Sequence, residues 1–234
     1  MDAARLIPPE LAGAVRLGWT PEPERRLPLP AAIEEIFGGG LPRGRVCEVA
    51  GRLSSGRTSL VFTLLAAATT AGEVAAVIDA ADAFDPASAA RAAIDLRSLL
   101  WVRPPSARDA LRCTEMILAA GGFGLVVLDL DGVPLRRLRF YTWPRLARAA
   151  EKSGAALVLL TPERIVGSFA TLSVVMKRTE SVLGPVLESY GILVHNKRGP
   201  VRASRRLRWS LDPAADAELG QFKIQNSRFK TRRA

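Results

Sequence analysis

The run Gly51-Arg52-Leu53-Ser54-Ser55-Gly56-Arg57-Thr58 combines two glycines, two serines, a cation and a hydroxyl at a spacing that can do chemistry. A G-x-x-x-x-G run followed by a cation and Ser or Thr is specific when a strand precedes it and a helix follows. Successive backbone N–H groups then converge on an anion, and the helix N-terminus adds the positive end of its dipole. Both conditions are met: Arg45–Ala50 reads as a short apolar strand, and an apolar helix runs from Thr58 to about Ala71. The candidate cofactor-binding residues are Gly51, Ser54, Ser55, Gly56, Arg57, Thr58 and Asp129. The Thr58 hydroxyl would hold Mg²⁺. Asp129 follows the apolar run Leu125–Leu128 and is placed for the carboxylate shell of that ion. Arg57 stands where such loops use lysine, a compact point charge between phosphates, and its planar fork is bulkier. Three outcomes stay open: no nucleotide binding, weak binding without useful turnover, or full activity. No cofactor is required on this reading, and ATP with Mg²⁺ is expected only as a weak ligand.

The elements that must position the loop alternate. Val74–Asp79, Leu99–Val102, Leu125–Leu130 and Ala156–Leu160 read as strands, and helices are expected from Pro86 to about Ala93, from Ser106 to Ala120 and over roughly Leu138–Ser153. Ser106 can cap its helix, with Asp109 three residues on. Strands alternating with helices predict an α/β fold: a mainly parallel sheet with helices on both faces. After Leu172 the pattern changes. Leu172–Glu180, Leu187–Lys197 and Arg205–Leu211 read as consecutive strands that extend the sheet in antiparallel fashion.

Three regions follow from this: a proline-rich arm at 1–30, a core domain at 31–212 and a basic tail at 213–234. The chain has 234 residues, and its 48% hydrophobic content is enough for a real core and excludes a wholly disordered protein. Its longest apolar runs fall short of the roughly 20 residues of a membrane helix. No basic segment leads into an apolar one at the start, so no signal peptide is expected. The cysteines, Cys47 and Cys113, sit in apolar patterns and read as buried reduced thiols. No metal-ligand spacing exists, and the single histidine, His195, reads as structural. Together these features point to the cytoplasm.

The net charge of +10 favours polyanions or acidic protein partners. Lys197, Arg198, Arg202, Arg205, Arg206 and Arg208 are candidate nucleic-acid contacts; the competing reading is a solvated strand edge that discourages pairing. In the tail, Phe222, Arg228, Phe229, Lys230, Arg232 and Arg233 interleave aromatics with cations, which suits a partner-binding segment ordered on contact. Trp143, with Phe140 and Tyr141, stands beside arginines, and such residues more often anchor a helix to a core than stack on bases.

Several runs resemble bacterial RecA. Gly38-Gly39-Gly40-Leu41-Pro42-Arg43-Gly44-Arg45-Val46, followed by Glu48, is similar to the RecA lead-in to its phosphate loop. Ser54-Ser55-Gly56 and Thr58 match the loop itself. Ile78-Asp79-Ala80-Ala81-Asp82-Ala83-Phe84-Asp85-Pro86, Val126-Val127-Leu128-Asp129 and His195-Asn196-Lys197 resemble later RecA segments in the same order. The resemblance spans roughly residues 35–212 and implies a RecA-like core. It also implies losses. The family's water-activating glutamate aligns with Ala81, and a general base must lie within reach of the attacking water. The segments corresponding to the DNA-lining loops, between Asp129 and Leu157 and over Glu163–Thr171, are short. A shortened RecA-like chain of this kind resembles the ImuA family. That resemblance implies an accessory role in DNA-damage-induced (SOS) mutagenesis and translesion synthesis, with an ImuB-like polymerase subunit and RecA as partners. Single-stranded DNA is a further candidate partner. The alternatives are an active RecA-type DNA-dependent ATPase or recombinase, and a single-stranded-DNA-binding module.

Overall fold

The structure, a computed structural model, describes residues 25–134, 141–183, 187–198 and 204–210. Strand β1 (Arg26–Leu27) pairs antiparallel with β2 (Leu41–Pro42), and the short helix α1 (Ala31–Glu34) joins them. The main sheet has eight strands: β3 (Val46–Gly51), β4 (Val74–Asp79), β5 (Leu99–Val102), β6 (Phe123–Asp129), β7 (Ala156–Thr161), β8 (Leu172–Leu183), β9 (Leu187–Arg198) and β10 (Ser204–Ser210). Their order is β10-β9-β8-β3-β7-β6-β4-β5. From β5 to β8 every pairing is parallel, and β9 and β10 add antiparallel strands at one side. The expected α/β architecture with an antiparallel extension is therefore present.

Helices α2 (Arg57–Thr70), α3 (Pro86–Arg91), α4 (Ala107–Ala120) and α5 (Thr142–Ser153) connect the parallel strands. Alternation along each strand divides the interior in two. On one face Leu60, Leu64 and Leu65 of α2 pack with Val49, Val127 and Val158, and Ile33 and Phe37 close the same core. On the other, Leu118 of α4 and Trp143 and Leu146 of α5 pack with Val126, Leu128 and Leu157. Central strands are apolar on both sides, so β6 and β7 read as continuous hydrophobic runs rather than alternating ones. Trp143 anchors its helix, as expected, and Tyr141 is exposed. Ser106 caps α4 by accepting from the Asp109 N–H at 3.2 Å.

Two boundaries and one burial differ from expectation. The core starts before Ala31: Leu27 and Leu29 are buried in it, and Arg26 Nη1 donates to the carbonyls of Phe37 (3.0 Å) and Gly40 (2.9 Å). Two apolar residues and one strand pair are too short a signal to stand out within a proline-rich stretch. Helix α5 begins at Thr142, and the residues expected before it, 138–140, lie outside the described ones. Cys47 is buried, but Cys113 is only half-buried.

Candidate functional site

Strand β3 lies between β7 and β8 in the sheet, pairing parallel with both, and delivers the chain into the loop at Gly51. A side chain at Gly51 would stand 2.7 Å from the Met176 carbonyl and 2.5 Å from Ser55 Oγ, so the strand can enter the loop only as glycine. Gly56 precedes α2 with φ of 88°, a left-handed conformation that glycine adopts without steric cost. The strand–loop–helix context of the phosphate loop is thus met.

A cavity of about 240 Å³ opens at the loop. Ser54, Ser55, Gly56, Arg57 and Thr58 line it from the loop, and Asp131 and Arg178 line it from across. Gly51 and Asp129 do not. The acid expected at the cavity, Asp129, is replaced there by Asp131, because Asp129 turns its Oδ1 back to accept the Asp131 N–H at 2.9 Å. Sequence reasoning missed Asp131. Its only signal was a second aspartate two residues past the end of the β6 run, and Asp82 and Asp109 show how common lone aspartates are here.

Arg57 is 6% exposed, and its Nη2 donates to Asp131 Oδ2 at 2.7 Å. The cation of the phosphate loop is therefore neutralised by a carboxylate of the protein itself. Arg57 Nη1 and Ser55 Oγ are buried without a hydrogen-bond partner, and so is Thr161 Oγ1 on the neighbouring strand. A buried donor without a partner costs on the order of 1–3 kcal/mol. Arg57 and Ser55 line the cavity, and their unsatisfied groups suit a small anion. The cavity is smaller than the ~300–1,000 Å³ of ordinary small-molecule sites. Ala81, at the position expected for the activating glutamate, is exposed, and the adjacent Asp82 pairs with Arg103 at 3.5 Å. Asp79, another acid at the carboxyl ends of the strands, is held by the N–H groups of Ala83 and Phe84 and by Trp101 Nε1.

Burial raises the Asp129 carboxyl to a pKa of about 6; the nearby Asp131 and Asp79 charges push the same way, and the Asp131 N–H and Arg57 oppose. The folded state thus keeps a proton that the unfolded chain releases from about pH 4 upward. Stability falls as pH rises from about 4 to 6, by on the order of 3 kcal/mol at 1.4 kcal/mol per unit. Asp129→Asn preserves the acceptor for the Asp131 N–H. It is expected to stabilise the protein by roughly 2–3 kcal/mol above pH 6 and not below pH 4. Urea unfolding at a series of pH values checks this.

The connection from β7 to β8 is docked rather than open. Val166 and Ala170 are buried, and the N–H groups of Ile165 and Val166 donate to Glu48 Oε1 at 2.6 and 3.0 Å. Of the candidate nucleic-acid contacts, Lys197 and Arg198 end β9 and are exposed, Arg206 is exposed on β10, Arg205 and Arg208 lie on β10, and Arg202 is outside the described residues. The tail candidates Phe222, Arg228, Phe229, Lys230, Arg232 and Arg233 are also outside them. His195 Nδ1 lies 2.7 Å from Ser204 Oγ, consistent with a structural histidine. Among the described residues no cluster could hold a metal ion, and no helix is long and apolar enough to cross a membrane.

Residues 30–134, which carry the loop and strands β3 to β6, match the RecA N-terminal domain. The chain is similar to RecA of Chlorobium limicola, 43% identical over 91 residues, which are 39% of this chain and 26% of that protein. It is 44% identical to RecA of Mycobacterium ulcerans over 99 residues, 42% of this chain and 29% of the relative. With RecA of Bifidobacterium longum it shares 38% identity over 120 residues, 50% of this chain and 30% of the relative. The chain thus spans less than a third of the length of these curated relatives. Through its phosphate-loop half this chain is related to RecA, and its α/β core is RecA-like.

Proposed function

We propose that this chain is a RecA-like accessory protein of DNA-damage-induced mutagenesis and translesion synthesis. On this reading it hydrolyses little or no ATP and acts through protein partners, an ImuB-like polymerase subunit and RecA among them. The observation that carries the reading is the ion pair of Arg57 with Asp131 at 2.7 Å. Phosphoryl transfer depends on a free cation and metal bridging the terminal phosphates and on a positioned base. Here the Arg57 guanidinium already shares its Nη2 with a carboxylate of the protein, and the residue at the expected base position is Ala81. The short, docked stretch Glu163–Thr171 supports the same reading, since it leaves little chain to line DNA in the manner of a recombinase.

Purified protein with ATP, Mg²⁺ and single-stranded DNA is expected to turn over ATP no faster than its Thr58→Ala variant, and Arg57→Lys is expected not to restore turnover, because no glutamate is regained at position 81. DNA-stimulated turnover that disappears on Thr58→Ala sinks the proposal in favour of an active ATPase. The partner half is tested separately. Deleting 213–234 is expected to weaken capture of the ImuB-like subunit, and capture unchanged by the deletion removes the tail from the reading.

A further inference from the structure

Strand register divides the β8–β9–β10 extension into two unlike faces. Val174, Met176, Ile192, Val194 and Leu207 belong to the core on the α2 side. The intervening residues point to the other face, where α4 and α5 cover β4, β6 and β3. There Lys177 of β8, Leu193 of β9 and Arg206 of β10 form one row across three strands. Val175, His195 and Ser204 form the next. Arg164 reaches the same face, its Nε donating to Ser173 Oγ at 2.9 Å. Lys177, Lys197 and Arg206 are exposed, while Val175, Leu193 and His195 between them are half-buried. Burial lowers the His195 pKa, and the charges of Lys197 and Lys177 lower it further. Neighbouring strands are spaced by about 4.8 Å, so the row from Lys177 to Arg206 spans about 10 Å. The result is a shallow cationic strip with apolar floor between the charges.

We propose that the outer face of β8, β9 and β10 binds the phosphate backbone of a single-stranded nucleic acid, with Lys177 and Lys197 as its anchoring cations. A shallow strip with repeated charges fits a ligand with a repeated charge. The apolar floor accepts the faces of unstacked bases without reading their order. Only part of the linear run from Lys197 to Arg208 belongs to this face: Arg206 is exposed there, while its neighbour Leu207 is buried on the α2 side. Lys177, distant in sequence, joins it. The inference does not depend on the adaptor reading: a chain that turned over ATP could use this face equally.

The test is the fluorescence anisotropy of a labelled mixed-sequence single-stranded DNA, titrated with the full chain at several salt concentrations. Each phosphate contact on a single strand contributes about 0.7 to the slope of log K against log salt, so Lys177→Gln with Lys197→Gln is expected to flatten the slope by about 1.4 and lower affinity by tenfold or more at low salt. Arg91→Gln, at an exposed cation on α3, is the control and is expected to change neither. Thermal unfolding checks that the double variant folds. Affinity and slope unchanged in the double variant overturn the proposal. Absence of DNA binding by the unaltered chain, with polyglutamate binding that depends on the same lysines, also overturns it and assigns the face to an acidic protein partner.

Discussion

Glu48→Ala is expected to lower the free energy of unfolding by about 3–5 kcal/mol, because it leaves two N–H donors and a hydroxyl without their acceptor, at roughly 1–3 kcal/mol each. Glu48 lies on the central strand β3 and is fully buried. Its Oε1 accepts two backbone N–H groups, from Ile165 and Val166, and its Oε2 accepts from Ser173 Oγ at 2.8 Å. Arg164 stands 4.0 Å away, too far to be its main partner. Alanine would leave two N–H donors without acceptors and free the β7–β8 connection from the sheet. Glu48→Gln keeps an acceptor and is expected to cost roughly half as much. Arg164→Gln, at a half-exposed pair, is expected to cost under about 1 kcal/mol. Denaturant unfolding monitored by circular dichroism separates the three, and a Glu48→Ala cost below about 1 kcal/mol contradicts the account.

The second large effect is at Gly56→Ala. A β-carbon there would fall 2.0 Å from Ile192 Cδ1 and 3.0 Å from Ile192 Cγ1. The backbone, at φ of 88°, adds the left-handed penalty of about 1–2 kcal/mol. Overpacking adds a further ~1–3 kcal/mol, for an expected total of about 2–5 kcal/mol. The two contributions can be separated. Ile192→Ala alone creates a cavity costing ~2–5 kcal/mol. The double variant is expected to cost less than the sum of the singles, because the shortened side chain at 192 no longer meets the new methyl. Additive costs would show that backbone strain alone limits position 56.

The parallel core was legible because its strands are short apolar runs flanked by glycine and proline, and because the phosphate-loop spacing ties strand, loop and helix into one unit. The site was legible only in part. Arg57 is unusual in sequence, but its partner Asp131 is brought to it by the end of β6, a tertiary fact that spacing does not encode. Asp129 looked like the acid of the site because it closes the apolar run, and local turn bonding decides otherwise. Leu27 and Leu29 were hidden among prolines, since two residues of strand leave no period to detect. The basic run from Lys197 looked like one surface because one-dimensional charge counting ignores which way a strand side chain points, and Lys177 joins it only through register.

Strand β9 touches two surfaces at once. Ile192 fills the space beside Gly56 of the phosphate loop, and Leu193, the next residue, lies in the row with Lys177 and Arg206 on the opposite face. A shift of β9 caused by a ligand on one side would change the environment on the other. Binding linkage then imposes a symmetry: whatever factor an anion in the loop applies to nucleic-acid affinity, the nucleic acid applies to the anion. On the proposed reading, an anion in the loop and a nucleic acid on the outer face would be coupled through β9 whether or not a phosphate bond is broken.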